Sequence, residues 1–389
     1  MSFENKTFEK EIINIRRFIH QNPELSGKEY NTANFIEKKL EELKIPHKRL
    51  AKTGVAALLK GSLGQEKTVA LRADIDALPL DEANGVPYKS VNKGVMHACG
   101  HDCHAAVMLG AAKLLNENKN NLKGGVKFIF QPAEEIAGGA KKMIKDGVLR
   151  NPKPDMILGA HICPWIKSGK VGIKYGAMMA AVDKFTVIVK GRVAHGAYPH
   201  LGKDAITAAA YFITSVQTVV SREIDPIDNA VVTIGKINGG AAYNIICDEI
   251  SMVGTVRSVN KKARRAVKKS ILNKLNGLES SFGVKCKIVY ESYDAPLINS
   301  KEITEICHNS ANEFYGKDNV IVLENPSMGG EDFASYLEEI PGNFMYIGSS
   351  NGAQTSYPWH HCSFNVDEKA LPQAAKYIAY TVEKILNGK

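Results

Sequence analysis

The chain has 389 residues, of which 44% are hydrophobic and 23% are charged, and its formal net charge is +9 at pH 7. This length exceeds what one hydrophobic core usually supports, so we expect a globular protein of two domains rather than a disordered chain. The 7 cysteines are scattered and odd in number, which argues against a disulfide framework, and no run approaches the ~20 apolar residues of a bilayer span. We therefore expect a cytoplasmic protein that makes no membrane contact.

The first part of the chain alternates helical and strand patterns. Apolar residues recur at helical spacing over residues 7–43, with a break at Asn22-Pro23. The elements predicted after that are strands 55–59 and 68–73, helix 105–115, strand 126–130, helix 139–145 and strand 156–160. Strands that alternate with helices predict an α/β domain with a mixed, largely parallel sheet that is covered on both faces.

From about residue 183 the pattern changes to a compact set of elements. The predicted order is strand 185–189, helix 204–222, strand 230–234, strand 250–256, helix 261–278 and strand 285–290. This β-α-β-β-α-β order is typical of the ferredoxin-like unit, a four-stranded antiparallel sheet with two helices on one face. Beyond Tyr293 the chain returns to helix and strand patterns. We therefore predict that residues 183–292 form an α+β domain inserted into a first domain made of residues 1–182 and 293–389.

The densest basic segment lies in the second helix of this inserted unit. Its charged residues are Lys261, Lys262, Arg264, Arg265, Lys268 and Lys269. Such charge could attract nucleic acid, but Ala263, Val267 and Ile271 recur between these residues at roughly helical spacing, which is typical of an amphipathic helix with a solvated charged face. We expect no nucleic-acid partner.

The most distinctive segment is residues 96–104, MHACGHDCH, which holds two thiols, one carboxylate and three imidazoles. Cys99 and His101 flank Gly100, so a turn before a helix can aim both side chains at one ion while the glycine takes the required backbone angles. A thiolate with an imidazole suits zinc, cobalt, nickel or manganese better than calcium or magnesium. A structural zinc knuckle is an alternative, but no second ligand pair follows at finger spacing. Buried side chains without an ion would explain this density poorly.

Two carboxylates follow the predicted strand 68–73, at the edge of a sheet where open α/β proteins place their sites. Asp74 and Asp76 are two residues apart, so on an extended chain their side chains share a face. Asp76 would then hold a ligand histidine in its metal-binding tautomer. The alternative is that one of the two carboxylates caps a turn or a helix after the strand.

The next strand ends repeat this pattern. Glu134 and Glu135 follow strand 126–130, where one carboxylate can bind metal while its neighbour removes a proton from water, although a solvated acidic pair is an alternative. His161 follows strand 156–160. Five ligands, enough for one crowded ion or two adjacent ions, would come from Cys99, His101, Glu135, His161 and one of the pair His360 and His361.

Motifs spread along the chain carry a resemblance to a known family. They are 17–25 RFIHQNPEL, 73–80 ADIDALPL, the 96–104 segment, 131–135 QPAEE, 194–200 AHGAYPH, 244–246 NII, 254–257 GTVR and 329–333 GGEDF. With these motifs the chain resembles the aminoacylase, hippurate hydrolase and auxin-conjugate amidohydrolase branch of the two-metal metallopeptidases. The resemblance implies a catalytic domain that binds two divalent ions (zinc, manganese, cobalt or nickel) and a smaller lid or dimerisation domain that makes a homodimer.

The resemblance also implies roles for individual residues. The implied metal ligands are Cys99, His101, Glu135, His161 and His360, the last being preferred to His361 because the relatives keep the first of the two histidines. The implied residues for catalysis and substrate binding are Glu134 as general base, His195 at the oxyanion, Arg257 at the substrate carboxylate, and Asn244, Gly329 and Gly330 beside the substrate.

The implied reaction is metal-dependent hydrolysis of the amide bond of an N-acyl amino acid, which releases a carboxylic acid and a free amino acid. An N-acetyldiaminopimelate deacetylase and a carboxypeptidase or dipeptidase are alternatives with the same metal chemistry. A non-catalytic metal- or ligand-binding protein is a further alternative, against which the presence of a base, Glu134, argues. Cys103, Cys247 and Cys362 depart from the family pattern, and Cys103 and Cys362 could bear on metal choice or oxidation.

Overall fold

The computed structural model describes residues 6–64 and 67–388. Its helices are α1 Lys6–Gln21, α2 Tyr30–Glu42, α3 His101–Glu117, α4 Gly139–Lys145, α5 Ala205–Thr218, α6 Lys261–Phe282, α7 Lys301–Tyr315, α8 Ala334–Leu337 and α9 Ala370–Asn387. Its strands are β1 His47–Leu50, β2 Gly54–Lys60, β3 Thr68–Asp74, β4 Gly125–Gln131, β5 Met156–Lys167, β6 Val171–Ile173, β7 Gly176–Met179, β8 Ala181–Lys190, β9 Ala194–His195, β10 Ala230–Gly239, β11 Ile245–Ile246, β12 Glu249–Ser258, β13 Lys285–Asp294, β14 Leu297–Asn299, β15 Val320–Val322 and β16 Gly342–Ser350. The described chain divides into two compact units.

The first unit holds the described residues up to Gly176, Ile298–Asn325 and the described residues from Asp332 onward. Its sheet has the strand order β1-β2-β4-β3-β5-β16-β6-β15. The neighbours β4, β3, β5 and β16 run parallel, whereas β2 runs antiparallel to β4 and β6 antiparallel to β16. Every residue of β3 and β4 is buried, as expected for parallel strands that are covered on both faces. The predicted mixed, largely parallel sheet is therefore confirmed.

Two predicted element boundaries in the first unit were wrong in ways that affect the site. Helix α3 begins at His101, not at residue 105, because Gly100 takes a positive φ of 92° and turns the chain directly into the helix. Strand β5 does not end at residue 160. It continues to Lys167 because it stays paired with β16, with Tyr346 opposite His161. His161 therefore lies within a strand rather than after one.

The second unit comprises Ala177–Leu297 and Pro326–Glu331. Its main sheet has the order β10-β12-β8-β13, and all neighbouring strands are antiparallel. Helices α5 and α6 pack against this sheet around a separate hydrophobic core. The predicted β-α-β-β-α-β ferredoxin-like unit is confirmed, and Ala263, Val267 and Ile271 form part of the buried face of α6, as an amphipathic helix requires.

The extent of the second unit differs from the predicted 183–292. It begins earlier, ends later and takes in the short segment 326–331, because the Ser327 amide donates to the carbonyl of Met178 and the Ala180 amide donates to that of Gly329. The roles assigned to the two units, catalytic domain and lid or dimerisation domain, remain predictions. Among the described residues, no helix combines the length and the apolar character needed to cross a bilayer.

Candidate metal centre

The tight turn at Gly100 places the two groups of the Cys-Gly-His motif beside each other in the first unit. Cys99 precedes the turn and His101 opens α3, and both side chains are buried. The positive φ of 92° at position 100 is strained for any residue with a side chain, so a glycine suits this position. The turn expected from the sequence is present.

The structure brings the predicted ligands of the first unit together. Ligand atoms of Cys99, His101 and His161 lie within 4.8 Å of one another, and so do those of Cys99, Glu135 and His360. Cys99 Sγ is 3.5 Å from His161 Nε2, and the Glu135 carboxylate lies 3.8 Å from His101 Nε2 and 3.5 Å from His360 Nε2. Because these groups converge from four separated segments, they could hold one ion or two adjacent ions.

Neighbouring acceptors set the proton positions of the two buried histidines. His101 Nδ1 lies 3.0 Å from the Asp76 carbonyl and 3.2 Å from Asp76 Oδ1, and His161 Nδ1 lies 2.8 Å from the Ile162 carbonyl. In the neutral ring each Nδ1 therefore carries the proton, and Nε2 is the atom whose lone pair is directed at the cluster. The carboxylate that holds His101 is the one that the sequence predicts for this role.

Two buried atoms at this place are suited to a cation. Within residues 6–64 and 67–388, His101 Nε2 and Glu135 Oε1 have no hydrogen-bond partner. Leaving a buried acceptor without a partner costs free energy, and a divalent ion would satisfy both atoms. The donor set of one thiol, three imidazoles and a carboxylate therefore fits a transition-metal centre.

The charge around the cluster also favours a bound metal ion. Burial alone would lower the pKa of His101, but the carboxylates of Asp74, Asp76 and Glu135 outweigh it and raise that pKa to about 10. Burial and the nearby carboxylates, Glu135 first among them, raise the pKa of the Cys99 thiol well above its ordinary value. The His101 shift, which runs against the effect of burial, reports an excess of negative charge that favours binding of positive charge at this position.

The second glutamate of the QPAEE motif lies beside the cluster and is partly exposed. Carboxylate oxygens of Glu134 and Glu135 lie within 4.8 Å of a ring nitrogen of His101 and of each other. Ala133, at a positive φ of 54°, makes the turn that separates the two side chains from β4, and Ser26 and the Glu135 amide both donate to Asp76 Oδ2. A carboxylate that touches the cluster and remains accessible to water is placed as a general base requires.

A hydrogen-bonded group of His104, Asp74 and Arg72 lies beside the centre and was not predicted. His104 Nδ1 lies 2.5 Å from Asp74, and the Ile162 amide donates to His104 Nε2 at 2.9 Å. Both nitrogens of His104 are thus engaged, so this histidine is not available as a ligand although it lies close to His101. Arg72 donates to Asp74 at 2.6 Å and to Asp332 at 2.9 Å. Asp74 and Asp76 both face the site. Asp74 fixes the positions of the His104 and Arg72 side chains and does not cap a turn or a helix.

A second unpredicted network lies behind the cysteine-histidine turn. Arg16 Nε donates to Asp102 at 2.7 Å, and His20 bridges two carboxylates, with Nδ1 2.8 Å from Asp102 and Nε2 3.1 Å from Glu82. All four residues are buried. The backbone of Ala83 also donates to Cys362, so the network connects the start of α3 with the segment after His360. The RFIHQNPEL motif contained the signal, but sequence spacing gives no indication that His20 meets a carboxylate 82 residues away.

The remaining predicted site residues belong to the second unit. His195 is exposed on β9, its Nδ1 accepts from the Ala197 amide at 3.1 Å, and β9 pairs with β11, next to which Asn244 lies. The Asn244 carbonyl accepts from the Gly196 amide at 2.7 Å, so His195 and Asn244 are neighbours.

Arg257 and the glycine pair form a second group within this unit. Burial lowers the pKa of Arg257, while the charges of Asp294 and Asp183 act in the opposite direction. A side chain at position 330 would meet Val182 at 2.3 Å and Asp294 at 3.1 Å, so Gly330 lets the chain pass close to β8 and β13. Gly329 lies beside Met179.

Comparison with known proteins identifies the class. Residues 70–384 match the peptidase family M20/M25/M40. An N-acetyl-L-cysteine deacetylase of Bacillus subtilis is 43% identical over 98% of this chain and 90% of its own, and an N-acetyldiaminopimelate deacetylase of Bacillus velezensis is 35% identical over 97% and 100%. A solved structure from Bacillus subtilis, described as a dinuclear metal binding peptidase from this family, has a TM-score of 0.87 at 37% identity and covers 98% of this chain and 99% of its own.

The chain therefore belongs to peptidase family M20/M25/M40, and within it to the amidohydrolase branch. It is an enzyme, a metal-dependent hydrolase, as the family resemblance in the sequence implied, and not a non-catalytic binding protein.

Proposed function

We propose that the protein hydrolyses the amide bond of N-acyl amino acids and releases a carboxylic acid and a free amino acid. The observation that carries the proposal is the convergence of Cys99, His101 and His161 with Glu135 and the partly exposed Glu134 in the first unit. Two relatives that match nearly the whole chain remove acetyl groups from amino acids, which supports a short acyl group.

We propose that Cys99, His101, Glu135, His161 and His360 hold two divalent ions, as the dinuclear relative does. Zinc, manganese, cobalt and nickel all suit this donor set. When bound, the ions polarise the amide carbonyl and lower the pKa of water toward neutrality. Asp76 keeps His101 in the tautomer that presents Nε2, and the Ile162 carbonyl does the same for His161.

Glu134 takes the proton of the attacking water in this proposal and later gives it to the departing amine. The excess of carboxylates around His101 supports a carboxylate base there, and the partial exposure of Glu134 allows water to reach it. In the second unit, His195 would stabilise the oxyanion and Arg257 would pair with the free carboxylate of the substrate, with Asn244, Gly329 and Gly330 beside it.

We also propose a homodimer formed through the second unit. Strand β10 lies at the edge of its sheet, and apolar side chains on this strand and on α5 are exposed, among them Tyr211 at 63% and Ile237 at 50%. An exposed edge strand with apolar neighbours is a surface that pairs readily with a second copy. A cytoplasmic location and the absence of nucleic-acid and membrane partners remain predictions.

An N-acetyldiaminopimelate deacetylase is a second candidate function, since one such protein matches 97% of the chain. Carboxypeptidase or dipeptidase activity is a third, because the same metal chemistry cleaves both kinds of amide. The three differ only in the groups on either side of the scissile bond.

A substrate panel distinguishes these functions. Purified protein with measured metal content is incubated with N-acetylcysteine, N-acetylalanine, hippurate, N-acetyldiaminopimelate and simple dipeptides, and the released amine is quantified. The proposal expects kcat/KM to be highest for an N-acyl amino acid. Turnover of dipeptides alone would contradict it, and selective turnover of N-acetyldiaminopimelate would favour the second candidate.

A further inference from the structure

A buried carboxylate contacts the backbone of the QPAEE motif and has no part in the chemistry proposed above. Glu29 directly precedes α2, and its side chain is completely buried. Its Oε1 accepts from the Gly27 amide at 2.7 Å and from the Ala133 amide at 2.9 Å, and its Oε2 accepts from Thr53 Oγ1 at 2.6 Å. A buried carboxylate is costly unless its oxygens are hydrogen-bonded, and these three contacts meet that need.

The contact with Ala133 holds an unfavourable backbone conformation in place. Ala133 takes a positive φ of 54°, a left-handed conformation that an alanine adopts only where its surroundings enforce it. Its amide donates to Glu29, and its carbonyl accepts from the Gly139 amide at 3.1 Å, at the start of α4. The peptide groups on both sides of Ala133 are therefore fixed before the chain reaches the two glutamates of the motif.

The direction of these two glutamates depends on the turn at Ala133. Glu134 and Glu135 follow it directly, so a rotation about a backbone bond of Ala133 would displace both carboxylates together. These carboxylates lie within 4.8 Å of a ring nitrogen of His101 and of each other, and a displacement of one ångström changes such a geometry substantially. A group that fixes the turn therefore acts on both glutamates at once.

The loop that carries Glu29 is itself fastened to the site. The Ala77 amide donates to the Glu24 carbonyl at 2.9 Å, which joins this loop to the segment after β3. Ser26 Oγ donates to Asp76 Oδ2 at 2.6 Å, and Asp76 is the residue that orients His101. The Glu29 carboxylate thus has a fixed position from which to hold its partner.

We propose that Glu29 is a positioning residue that fixes the turn at Ala133 and, through that turn, the two glutamates that follow. This inference rests on the proposed function, in which Glu134 is the base and Glu135 a metal ligand. It makes the length of the Glu29 side chain, rather than its charge, the property that the site requires. A neutral amide oxygen accepts a hydrogen bond from a backbone amide as a carboxylate oxygen does.

Two replacements separate length from charge. Glu29→Gln removes the charge and keeps the length, so its oxygen still accepts from Ala133 while its NH₂ group donates to Thr53 Oγ1. Glu29→Asp keeps the charge but is one methylene shorter, which withdraws the carboxylate by about 1.5 Å. Glu29→Asp should therefore lower kcat for N-acetylcysteine about tenfold or more and change KM less than twofold, whereas Glu29→Gln should stay within about threefold of wild type.

Metal affinity gives a readout that does not depend on turnover. Metal-free protein is titrated with Zn²⁺ in competition with a chromophoric chelator. Because the turn also places Glu135, the zinc dissociation constant should rise about tenfold or more in Glu29→Asp and remain within about threefold of wild type in Glu29→Gln. A role of the Glu29 charge would give the reverse order of the two variants.

Thr53→Val is the matched control. It removes the contact to the other oxygen of the same buried carboxylate and leaves the bond to the Ala133 amide in place. It should lower the melting temperature, as the loss of a buried hydrogen bond does, but change kcat and zinc affinity less than about twofold.

Three results would overturn the positioning role: near-normal kcat and zinc affinity in Glu29→Asp, a Glu29→Gln variant as impaired as Glu29→Asp, or a Thr53→Val variant that matches Glu29→Asp. If Glu29→Asp did not fold, the comparison of Glu29→Gln with wild type would still decide between length and charge. A wild-type protein that hydrolyses no substrate of the panel would refute the proposed function instead, and the zinc titration would still test the action of Glu29 on Glu135.

Discussion

Replacing Arg16 by methionine should lower the free energy of unfolding of the first unit by about 3 to 5 kcal/mol, the usual cost of removing one partner from a buried ion pair. Arg16 is fully buried and contacts Asp102 at 2.7 Å and Glu368 at 3.2 Å. Methionine fills a similar volume, so packing changes little, but among residues 6–64 and 67–388 Asp102 would keep only His20 as a side-chain hydrogen-bond partner. Most of the loss is therefore the cost of leaving that carboxylate buried with too little compensation.

Urea unfolding followed by tryptophan fluorescence measures this effect, because both tryptophans lie in the first unit. With an m value of about 3 kcal/mol per molar, the midpoint should fall by about 1 to 1.7 M. Lys113→Met is the matched control. Lys113 also connects α3 to α1, through an ion pair with Glu11, but both side chains of this pair are partly exposed. It should cost about 1 kcal/mol or less.

The double replacement Arg16→Met with Asp102→Asn sharpens the test. It removes the stranded charge, so it should be less destabilising than the sum of the two single replacements. If Arg16→Met behaved like Lys113→Met, or if the two replacements were additive, the view of Arg16 as the partner that makes a buried carboxylate tolerable would be wrong.

Four further predictions concern the site. Cys99→Ala should lose bound metal and activity together while Cys286→Ala loses neither, as measured by metal content after dialysis and by turnover. Equal metal content in wild type and both variants would show that Cys99 is not a ligand. Glu134→Gln should retain metal yet lower kcat by at least ~100-fold, and near-normal kcat would exclude it as the base. Arg257→Ala should cost about 2 to 4 kcal/mol in kcat/KM for acids but little for a carboxamide analogue, and equal losses would rule out the ion pair. Burial and Arg16 oppose charge on His20, but Asp102 and Glu82 outweigh them and raise its pKa. The free energy of unfolding by which wild type exceeds His20→Gln should therefore be complete below about pH 6.5 and shrink as pH rises through the higher folded pKa. A difference that stays constant with pH would contradict this prediction.

Local patterns in the sequence were enough for elements whose environment is uniform. Helix α4 has the predicted bounds, and β3 and β4 extend only one residue beyond the predicted ends on the side of the site, where the polar residues Asp74 and Gln131 end the apolar runs. Strand β5 was predicted too short because its second half carries His161 and Pro164, which interrupt the apolar run, although pairing with β16 keeps it extended.

The site residues also divide into those that local sequence patterns predict and those that only the folded chain reveals. Cys99, His101, Glu134 and Glu135 could be found because each stands at the end of an element in a dense motif. His104 was inside the same motif, but its role depends on which partner meets each ring nitrogen, and periodicity carries no information on that. Networks such as Arg72 with Asp332 join residues that are 260 positions apart, so only the folded chain brings them into contact.

The order of the segments along the chain has a consequence for biosynthesis. Ile157 of β5 pairs with Gly342 of β16, and His360 comes later still, so the sheet and the predicted ligand set stay incomplete until the chain has left the ribosome as far as His360. The intervening second unit has its own core and can fold while translation continues. Until then a nascent chain exposes Cys99 and an unfilled strand position on β5, so a nonsense product that ends before β16 should be captured by chaperones rather than loaded with metal.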